Sequence, residues 1–294
     1  MVAGRKAEVS VPATVANLGP GFDCLGVALA LELRIAFSLA QTSEISGKGR
    51  HRSVADSLIY KAFTAAFLRA GAEPPGVRIE VLENYPSARG LGASASAIVA
   101  GLVGARLLGD LPLDDEDLAD LAVEIEGHPD NVLPALLGGL ILSAQMDWIK
   151  FEPTADLSPL VLVSGKAFKT EVARRAVPDK VAVADAVANA GATAALVAIL
   201  TGNADRRLLM TATEDRLHQP ARLPLMPETY AIFLALREKA IAVALSGAGP
   251  SLICIVETEN AARLAEQVGE MLPDGWGLLR PGWNTEGARG ALVS

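Results

Sequence analysis

The sequence predicts an α+β fold for this chain of 294 residues. Segments with strand-like alternation interleave with segments whose apolar residues have helical spacing, but without the regular rhythm of a doubly wound parallel sheet. Hydrophobic residues make up 51% of the chain, which excludes a disordered protein and supplies a sizeable core. The turn-rich stretch between Pro153 and Pro159 separates two apolar runs, so we expect domains at residues 1–155 and 156–294.

In the first half of the chain, Asp114 and its acidic neighbours suit a helix N-terminus, and Gly127 suits the end of the same helix. Gly101 and Gly104 would weaken an exposed helix, so they indicate close packing against a sheet. The expected strands cover 8–11, 29–39 and 77–82, the expected helices cover 57–70, 93–108 and 114–127, and 135–143 is a strand or a buried segment.

The second half predicts a strand over 160–163, a long helix to Leu200, further helices, a strand over 252–256 and a helix from Asn260. The run from Val181 to Leu200 is the most apolar long stretch of the chain. Because it carries Asp185 and Asn189, we expect a buried helix rather than a membrane span.

The composition excludes several classes of function. The net charge of −8 argues against a nucleic-acid-binding protein, although a local cradle can still hold the phosphates of a nucleotide. Two cysteines are too few for a disulfide scaffold or a zinc site, and the three histidines lack metal-ligand spacing. The first eight residues lack the apolar core of a signal peptide, so we expect a cytoplasmic protein that does not bind membranes.

The clearest functional signal is the stretch from Pro86 to Ala97, a glycine turn that runs into a helix of small residues. Gly90 and Gly92 let the backbone approach a bulky anion, and the helix offers unpaired N–H groups and the positive end of its dipole. No lysine follows the turn, so this phosphate cradle differs from a P-loop. Taken alone, the stretch also fits an ordinary tight turn.

Two further segments, 12–26 and 246–251, join this stretch, and the three resemble in order and type the motifs of the GHMP small-molecule kinases. The segment from Glu126 to Gly139 is similar to the signature of those members that phosphorylate L-homoserine, a step towards threonine. The resemblance implies a ribosomal-S5-like N-terminal domain and a ferredoxin-like C-terminal domain with the site between them. It also implies ATP, Mg²⁺, L-homoserine as the acceptor, and a homodimer.

The resemblance assigns the ATP phosphates to the glycine turn and the start of the helix. Ala93 stands where the family usually has serine, which removes one hydroxyl and leaves the backbone contacts. Ser57 stands where the family often has an asparagine near the adenine, so this chain departs from the pattern there as well. The implied nucleotide-binding residues are Pro86, Arg89, Gly90, Leu91, Gly92, Ala93, Ser94, Ala95, Ser96 and Ser57.

A magnesium ion needs one or two carboxylates in addition to phosphate oxygens. The family supplies a glutamate on the helix before the His-Pro-Asp-Asn segment, where both Glu124 and Glu126 qualify. At about 100° per residue, Glu126 lies closer to the apolar face of that helix and therefore closer to a cleft. We expect Glu126 and the hydroxyl of Ser94 to hold the metal and to be catalytic residues.

The first and fourth motifs carry the expected acceptor site. By resemblance Asn17, Asp23 and His128 contact the amino acid, and a carboxylate such as Asp23 suits an ammonium group. Asn131 matches the position at which some relatives place an aspartate base, and an amide orients a hydroxyl but takes no proton. We therefore expect no strong general base, with the adjacent carboxylate of Asp130 as the alternative.

Recognition of a carboxylate favours arginine, whose planar fork binds it with two hydrogen bonds. Arg174 and Arg222 fit the positions of the family, and Thr170 lies one helical turn before Arg174 on the same face. We expect all three to bind the substrate.

Two alternatives stay open at this point. The acceptor could be another small alcohol such as threonine or mevalonate, although the His-Pro-Asp-Asn run and the two arginines favour an amino acid. The chain could also be a catalytically silent sensor. Ala93 is the only departure in favour of a sensor, whereas Ser94, Glu126 and Asp23 argue against it.

Overall fold

The computed structural model describes residues 5–49, 53–144 and 147–293. The described strands are β1 (Lys6–Ala16), β2 (Leu25–Leu39), β3 (Glu44–Gly47), β4 (Val77–Glu83), β5 (Leu140–Ala144), β6 (Asp147–Phe151), β7 (Leu157–Val163), β8 (Ala242–Leu245), β9 (Leu252–Glu257), β10 (Gly277–Leu279) and β11 (Arg289–Val293). The described α-helices are α1 (Leu58–Arg69), α2 (Ala93–Gly109), α3 (Asp115–Glu126), α4 (Pro129–Leu137), α5 (Thr170–Ala176), α6 (Val183–Leu200), α7 (Leu209–Ala212), α8 (Gln219–Arg222), α9 (Pro227–Glu238) and α10 (Ala261–Gly269).

Two sheets organise the fold: the first sheet with helices α1 to α4 is called the first unit, and the second sheet with helices α5 to α10 is called the second unit. The first has the strand order β11-β1-β2-β4-β3, with β5 paired to β2 and β6 paired to β5; only the β3–β4 pair is parallel among the described strands. The second is antiparallel, in the order β10-β7-β9-β8. Strands and helices are thus mixed without a doubly wound sheet, as the α+β prediction requires.

Helix α2 lies at the centre of the first unit, because it packs on β1 and β2 and also contacts α1, α3 and α4. Its glycines make this possible. A Cβ on Gly104 would lie 2.7 Å from the Phe37 ring of β2, and one on Gly101 would lie 2.2 Å from the Ile59 carbonyl of α1. Close packing on the sheet is confirmed for Gly104, whereas Gly101 faces a neighbouring helix instead.

Helix α3 has the caps that the sequence indicates. The carboxylate of Asp114 accepts a hydrogen bond from the Asp117 N–H, the Asp117 side chain accepts one from the Asp114 N–H, and Gly127 ends the helix with a φ of +88°. These two hydrogen bonds form a capping box, and three acidic residues in the first turn lie at the positive end of the helix dipole. The helix ends at Glu126, which lies in the site described below.

The structure differs from the expectations for 135–143. Residues 129–137 form helix α4, with Pro129 in its first turn and Gly138 at its end, and the strand β5 begins only at Leu140. Pro129 has a helical φ at a position where the helix needs no N–H donor. Gly138 and Gly139 end the helix, and the chain then enters the sheet. Pro134 lies inside this helix, at a position where proline normally disfavours helix.

The expected burial of the apolar helix was wrong. In α6 only Asn189, Leu196, Ile199 and Leu200 are buried, and Val183 and Val187 are 80% and 65% exposed. Among the described residues α6 is the one helix long and apolar enough to cross a membrane by length and composition. One such helix is weak evidence for a span, because core helices of globular proteins meet the same criterion.

The expected boundary at residues 155 and 156 falls in the loop between β6 of the first sheet and β7 of the second. The chain does not stay in the second unit, however. Strand β11 returns to the first sheet and pairs antiparallel with β1, from Lys6 opposite Val293 to Ser10 opposite Arg289. The residues 289–293 therefore belong with the first sheet, since a short terminal strand gains its hydrogen bonds by covering an open edge.

Candidate active site

A cavity of about 430 Å³ lies where the two units meet. The first unit contributes the turn before α2, the end of α3 and the start of α4, and the second contributes α5, α8 and the loop after β8. Most of the residues that the sequence singled out therefore come together here. The lining residues are Asn17, Leu58, Ser87, Ala88, Gly90, Leu91, Gly92, Ala93, Ser94, Glu126, His128, Asn131, Thr170, Arg174, Arg222, Gly247 and Ala248.

The glycine turn is wedged between two other segments. Gly90 and Gly92 have φ values of +79° and +66°, which favour glycine. A Cβ on Gly92 would lie 1.9 Å from Thr14 Oγ1, and one on Gly90 would lie 2.0 Å from the Ser246 carbonyl oxygen. The Ser246 hydroxyl also donates a hydrogen bond of 2.7 Å to the Gly90 carbonyl. The turn is thus held in one shape, with the N-terminus of α2 at the cavity.

Ser94 and Glu126 lie side by side in this cavity. The Ser94 hydroxyl, in the first turn of α2, donates a hydrogen bond of 2.6 Å to Glu126 Oε1 at the end of α3. Glu124 lies outside the cavity and forms an exposed ion pair of 2.6 Å with Arg69. Hydroxyl and carboxylate oxygens are the ligands that Mg²⁺ prefers, so this donor pair fits the metal.

Asn131 is held by a residue that sequence reasoning missed. The buried Thr14 hydroxyl donates a hydrogen bond of 2.8 Å to Asn131 Oδ1. Because the amide oxygen is occupied, the amide NH₂ of Asn131 is the group available to the cavity. Thr14 lies within the 12–26 motif, but its contact joins it to a residue of helix α4 that is 117 positions away, so no local pattern indicates it.

Asp130 is not in the cavity. Its side chain is fully buried, its Oδ1 lies 2.5 Å from His128 Nδ1, and its Oδ2 has no hydrogen-bond partner in the described structure. The hydrogen bond that the Asp130 carboxylate accepts from His128 raises the pKa of His128, while burial of the ring acts in the opposite direction. The structure therefore places Asp130 behind His128, which itself lines the cavity.

Asp23 and Arg174 bind each other. Two hydrogen bonds of 3.0 Å and 2.9 Å join the Arg174 guanidinium to the Asp23 carboxylate, across the two units. Asn17 supports this arrangement, because its Oδ1 accepts a hydrogen bond of 2.9 Å from the Asp23 N–H. Asn17 and Asp23 both have φ values near +55°, as the tight loop between β1 and β2 requires. Thr170 and Arg174 share one face of α5 towards the cavity.

Arg222 is a buried cation. Its side chain donates long hydrogen bonds of 3.3 Å, 3.3 Å and 3.4 Å to the Ala173 carbonyl, His218 Nδ1 and the Gly247 carbonyl, and its guanidinium lies 5.0 Å from the centre of the Phe22 ring. Within the described part of the chain no carboxylate lies within 4.0 Å of it. Burial lowers the pKa of Arg222 from its usual value. A buried guanidinium without a carboxylate partner is costly unless a ligand supplies one.

A second cavity of about 530 Å³ adjoins the first and shares Ser87 and Ala93 with it. Pro86 and Arg89 line this second cavity, and Arg89 also donates a hydrogen bond of 2.9 Å to the Gly165 carbonyl. Its other lining residues include Tyr85, Ile59 and Asn84.

Three residues assigned to the nucleotide lie elsewhere. The Ser96 side chain is fully buried and bonds to the Tyr85 hydroxyl and the Pro12 carbonyl, so its hydroxyl braces α2 rather than facing the cavity. Ala95 is fully buried in the core as well. Ser57 precedes α1 and lines neither cavity, although the residues that follow it do.

Comparisons with known proteins place the chain in a family. Residues 57–139 match the GHMP kinases N terminal domain and residues 185–274 match the GHMP kinases C terminal domain. A homoserine kinase of Streptomyces avermitilis is 42% identical, over 96% of this chain and 94% of that protein. One from Thermosynechococcus vestitus is 41% identical, over 89% and 90% of the two chains.

The crystal structure of homoserine kinase from Cytophaga hutchinsonii superimposes with a TM-score of 0.87 at 26% identity, and covers 99% of both chains. The fold and the ATP-dependent kinase activity implied by the sequence motifs are thus confirmed at the level of the family, whose members use ATP as co-substrate. The chain belongs to the GHMP kinases and, within them, to the family of its homoserine kinase relatives.

Proposed function

We propose that this protein transfers a phosphoryl group from ATP to the side-chain hydroxyl of L-homoserine, with Mg²⁺ bound by Ser94 and Glu126. The observation that carries the acceptor is Arg222, a buried cation that lines one cavity together with Arg174, whose guanidinium pairs with the Asp23 carboxylate. An α-amino acid supplies the carboxylate that Arg222 lacks. A sugar or mevalonate leaves the pairing of Arg222 or of Asp23 incomplete.

The nucleotide lies along the glycine turn in this proposal. The backbone of Gly90, Leu91 and Gly92 and the N-terminus of α2 face the phosphates, and the second cavity beside Tyr85 takes the nucleoside. Ser94 and Glu126 hold the metal, which neutralises phosphate charge when bound.

The acceptor lies across the Asp23–Arg174 pair. The Asp23 carboxylate binds the ammonium group of the substrate, while Arg174 and Arg222 bind its carboxylate. The ion pair between Asp23 and Arg174 is thereby replaced by two ion pairs with the zwitterionic substrate. The same part of the cavity is also lined by Asn17, Thr170 and His128. The Asn131 amide, fixed by Thr14, donates to the acceptor hydroxyl and aims its lone pair at the γ-phosphorus.

The chemical step needs little from a base. The hydroxyl oxygen forms a bond to the γ-phosphorus as the bond to the ADP oxygen breaks. The transition state is loose, so the hydroxyl proton leaves late and is accepted by a transferred phosphoryl oxygen. The burial of Asp130 behind His128 supports this scheme, because no carboxylate oxygen of Asp130 reaches the cavity.

The first test is a substrate panel. ADP release should be fastest by far with L-homoserine, and threonine, mevalonate and galactose should each react at least about 100-fold more slowly in kcat/KM, because each leaves a buried charge unpaired or misplaces the hydroxyl. Preference for another member of the panel would contradict the proposed acceptor. Release of ADP with none of them, in a protein that binds ATP, would favour the silent sensor.

Two glutamates of helix α3 provide a test of the proposed metal site and its control. Glu126→Gln should leave ATP binding measurable and lower kcat by about 10²- to 10⁴-fold, since it removes the proposed metal carboxylate. Glu124→Gln is the matched control, and should change kcat by less than about twofold because Glu124 only pairs with the exposed Arg69. Titration of both variants with Mg²⁺ should show a raised requirement in the Glu126 variant alone. A crippled Glu124 variant beside an active Glu126 variant would overturn the assignment.

The role of Asp130 can be separated from that of a base. Asp130→Asn keeps the side-chain shape and should lower kcat by about tenfold or less, well below the 10²- to 10⁴-fold expected for a lost general base. Circular dichroism and the KM values for both substrates show whether the fold and binding persist. A loss of about 10⁴-fold in kcat with both intact would identify Asp130 as the base after all.

We also propose a cytoplasmic homodimer that binds neither nucleic acid nor membranes. The net charge of −8 supports the absence of nucleic acid, and the exposed apolar residues of α6 support burial against a second copy. Light scattering gives the mass in solution, and a monomer at micromolar concentration would contradict the dimer.

A further inference from the structure

His218 is a fully buried histidine that lies outside the motifs and does not line the cavity. It directly precedes α8, the short helix that ends with Arg222. Both ring nitrogens have partners: Nε2 lies 2.8 Å from the Gly19 carbonyl oxygen and 3.4 Å from Asp215 Oδ2, and Nδ1 lies 3.3 Å from Arg222 Nη1. These contacts define the chemical state of the ring.

The partners leave one arrangement of protons. A carbonyl oxygen only accepts hydrogen bonds, so Nε2 must carry the proton, and a guanidinium only donates, so Nδ1 must be bare. His218 is therefore a neutral imidazole with its proton on Nε2. Burial lowers the pKa of His218 and the nearby Arg222 charge acts in the same direction, against the opposing influence of Asp215 and Asp23. A proton on Nδ1 would face the Arg222 cation directly.

Buried contacts fix the position of His218 and its neighbours. The fully buried Asp215 carboxylate accepts hydrogen bonds from the N–H groups of His218 and Gln219, at 3.0 Å and 2.6 Å, and its Oδ1 accepts one of 2.7 Å from Asn189 of α6. The Phe22 ring stacks on the His218 ring at 5.4 Å and also lies against the Arg222 guanidinium.

We propose that His218 is a positioning residue: as a neutral acceptor it holds the Arg222 guanidinium in the orientation that receives the carboxylate of the substrate. The inference rests on the proposed function, since that function supplies the carboxylate. The other two hydrogen bonds of Arg222 go to backbone carbonyls of α5 and of the loop after β8, so His218 is the only side chain in the described structure that accepts from it. Without His218, Arg222 stays in place but loses its fixed direction.

Two substitutions of His218 each keep one of its two hydrogen bonds. His218→Asn places an amide oxygen near the position of Nδ1 and keeps the acceptor for Arg222, whereas His218→Gln places an amide nitrogen near the position of Nε2 and keeps the donor to Gly19. A residue that only fills the core would respond to lost volume, and would suffer more from the smaller asparagine. A positioning residue would suffer more from glutamine.

The kinetic experiment compares L-homoserine with aminopropanol, which is homoserine without its carboxylate. His218→Gln should raise KM for homoserine by about 10- to 100-fold and change kcat by less than about threefold. His218→Asn should return KM to within about fivefold of the unsubstituted protein, and neither variant should alter kcat/KM for aminopropanol by more than about threefold. Equal losses on both substrates, or a larger loss with asparagine, would overturn the proposal.

A spectroscopic measurement covers the case in which a variant fails to fold. A ¹H–¹⁵N spectrum of the imidazoles in the unsubstituted protein, with His218 assigned by replacing the other two histidines, should show a protonated Nε2 and a bare Nδ1 from about pH 6 to about pH 8. A protonated Nδ1 would refute the proposal. Homoserine turnover by the unsubstituted protein tests the proposed function separately, because that turnover does not depend on either variant.

Discussion

The proposed recognition of the acceptor depends on a buried positive charge. The Arg222 guanidinium is removed from water, held by two backbone carbonyls, one imidazole and one aromatic ring, and has no carboxylate within 4.0 Å in the described structure. Such a group is unfavourable for stability and favourable for binding an anion, since its desolvation cost is already met before the ligand arrives. The surrounding network through His218, Asp215 and Asn189 explains how the fold tolerates the charge.

The glycine turn is the second constraint, and it joins the two units. Gly90 packs under Ser246 of the second unit, and Gly92 packs against Thr14 of β1, so a side chain at either position would collide with a neighbouring segment. Thr14 then orients Asn131, which we propose to contact the acceptor. The proposed phosphate cradle and the proposed acceptor amide are therefore set by the same contacts, which is the preorganisation that phosphoryl transfer demands.

The sequence predicts what local patterns encode. The caps of α3 follow from Asp114 and Gly127, the phosphate turn follows from Gly90 and Gly92, and the preference for Glu126 over Glu124 follows from helical periodicity. These features depend on neighbours within a few residues of each other.

The features that the sequence does not predict depend on contacts between residues far apart in the chain. The return of β11 to β1, the exposure of α6 and the support of Asn131 by Thr14 each join segments with no local signal. The same holds for the Asp23–Arg174 pair, because 151 positions separate its partners and the motifs indicate only a contact of each with the substrate. Ser96 shows the reverse error, since its motif position suggested a ligand and its environment is the core.

The central claim is that Arg222 is kept for the carboxylate of an amino acid. Its most direct test is Arg222→Gln, which removes the charge, with kcat/KM measured for L-homoserine and for aminopropanol, and with Arg175→Gln as an arginine control outside the cavity. Loss of one partner of a buried charge pair costs about 2–5 kcal/mol, so homoserine should lose about 30-fold to several thousand-fold while aminopropanol loses less than about threefold. Equal losses on the two substrates would contradict the account and make Arg222 a structural residue.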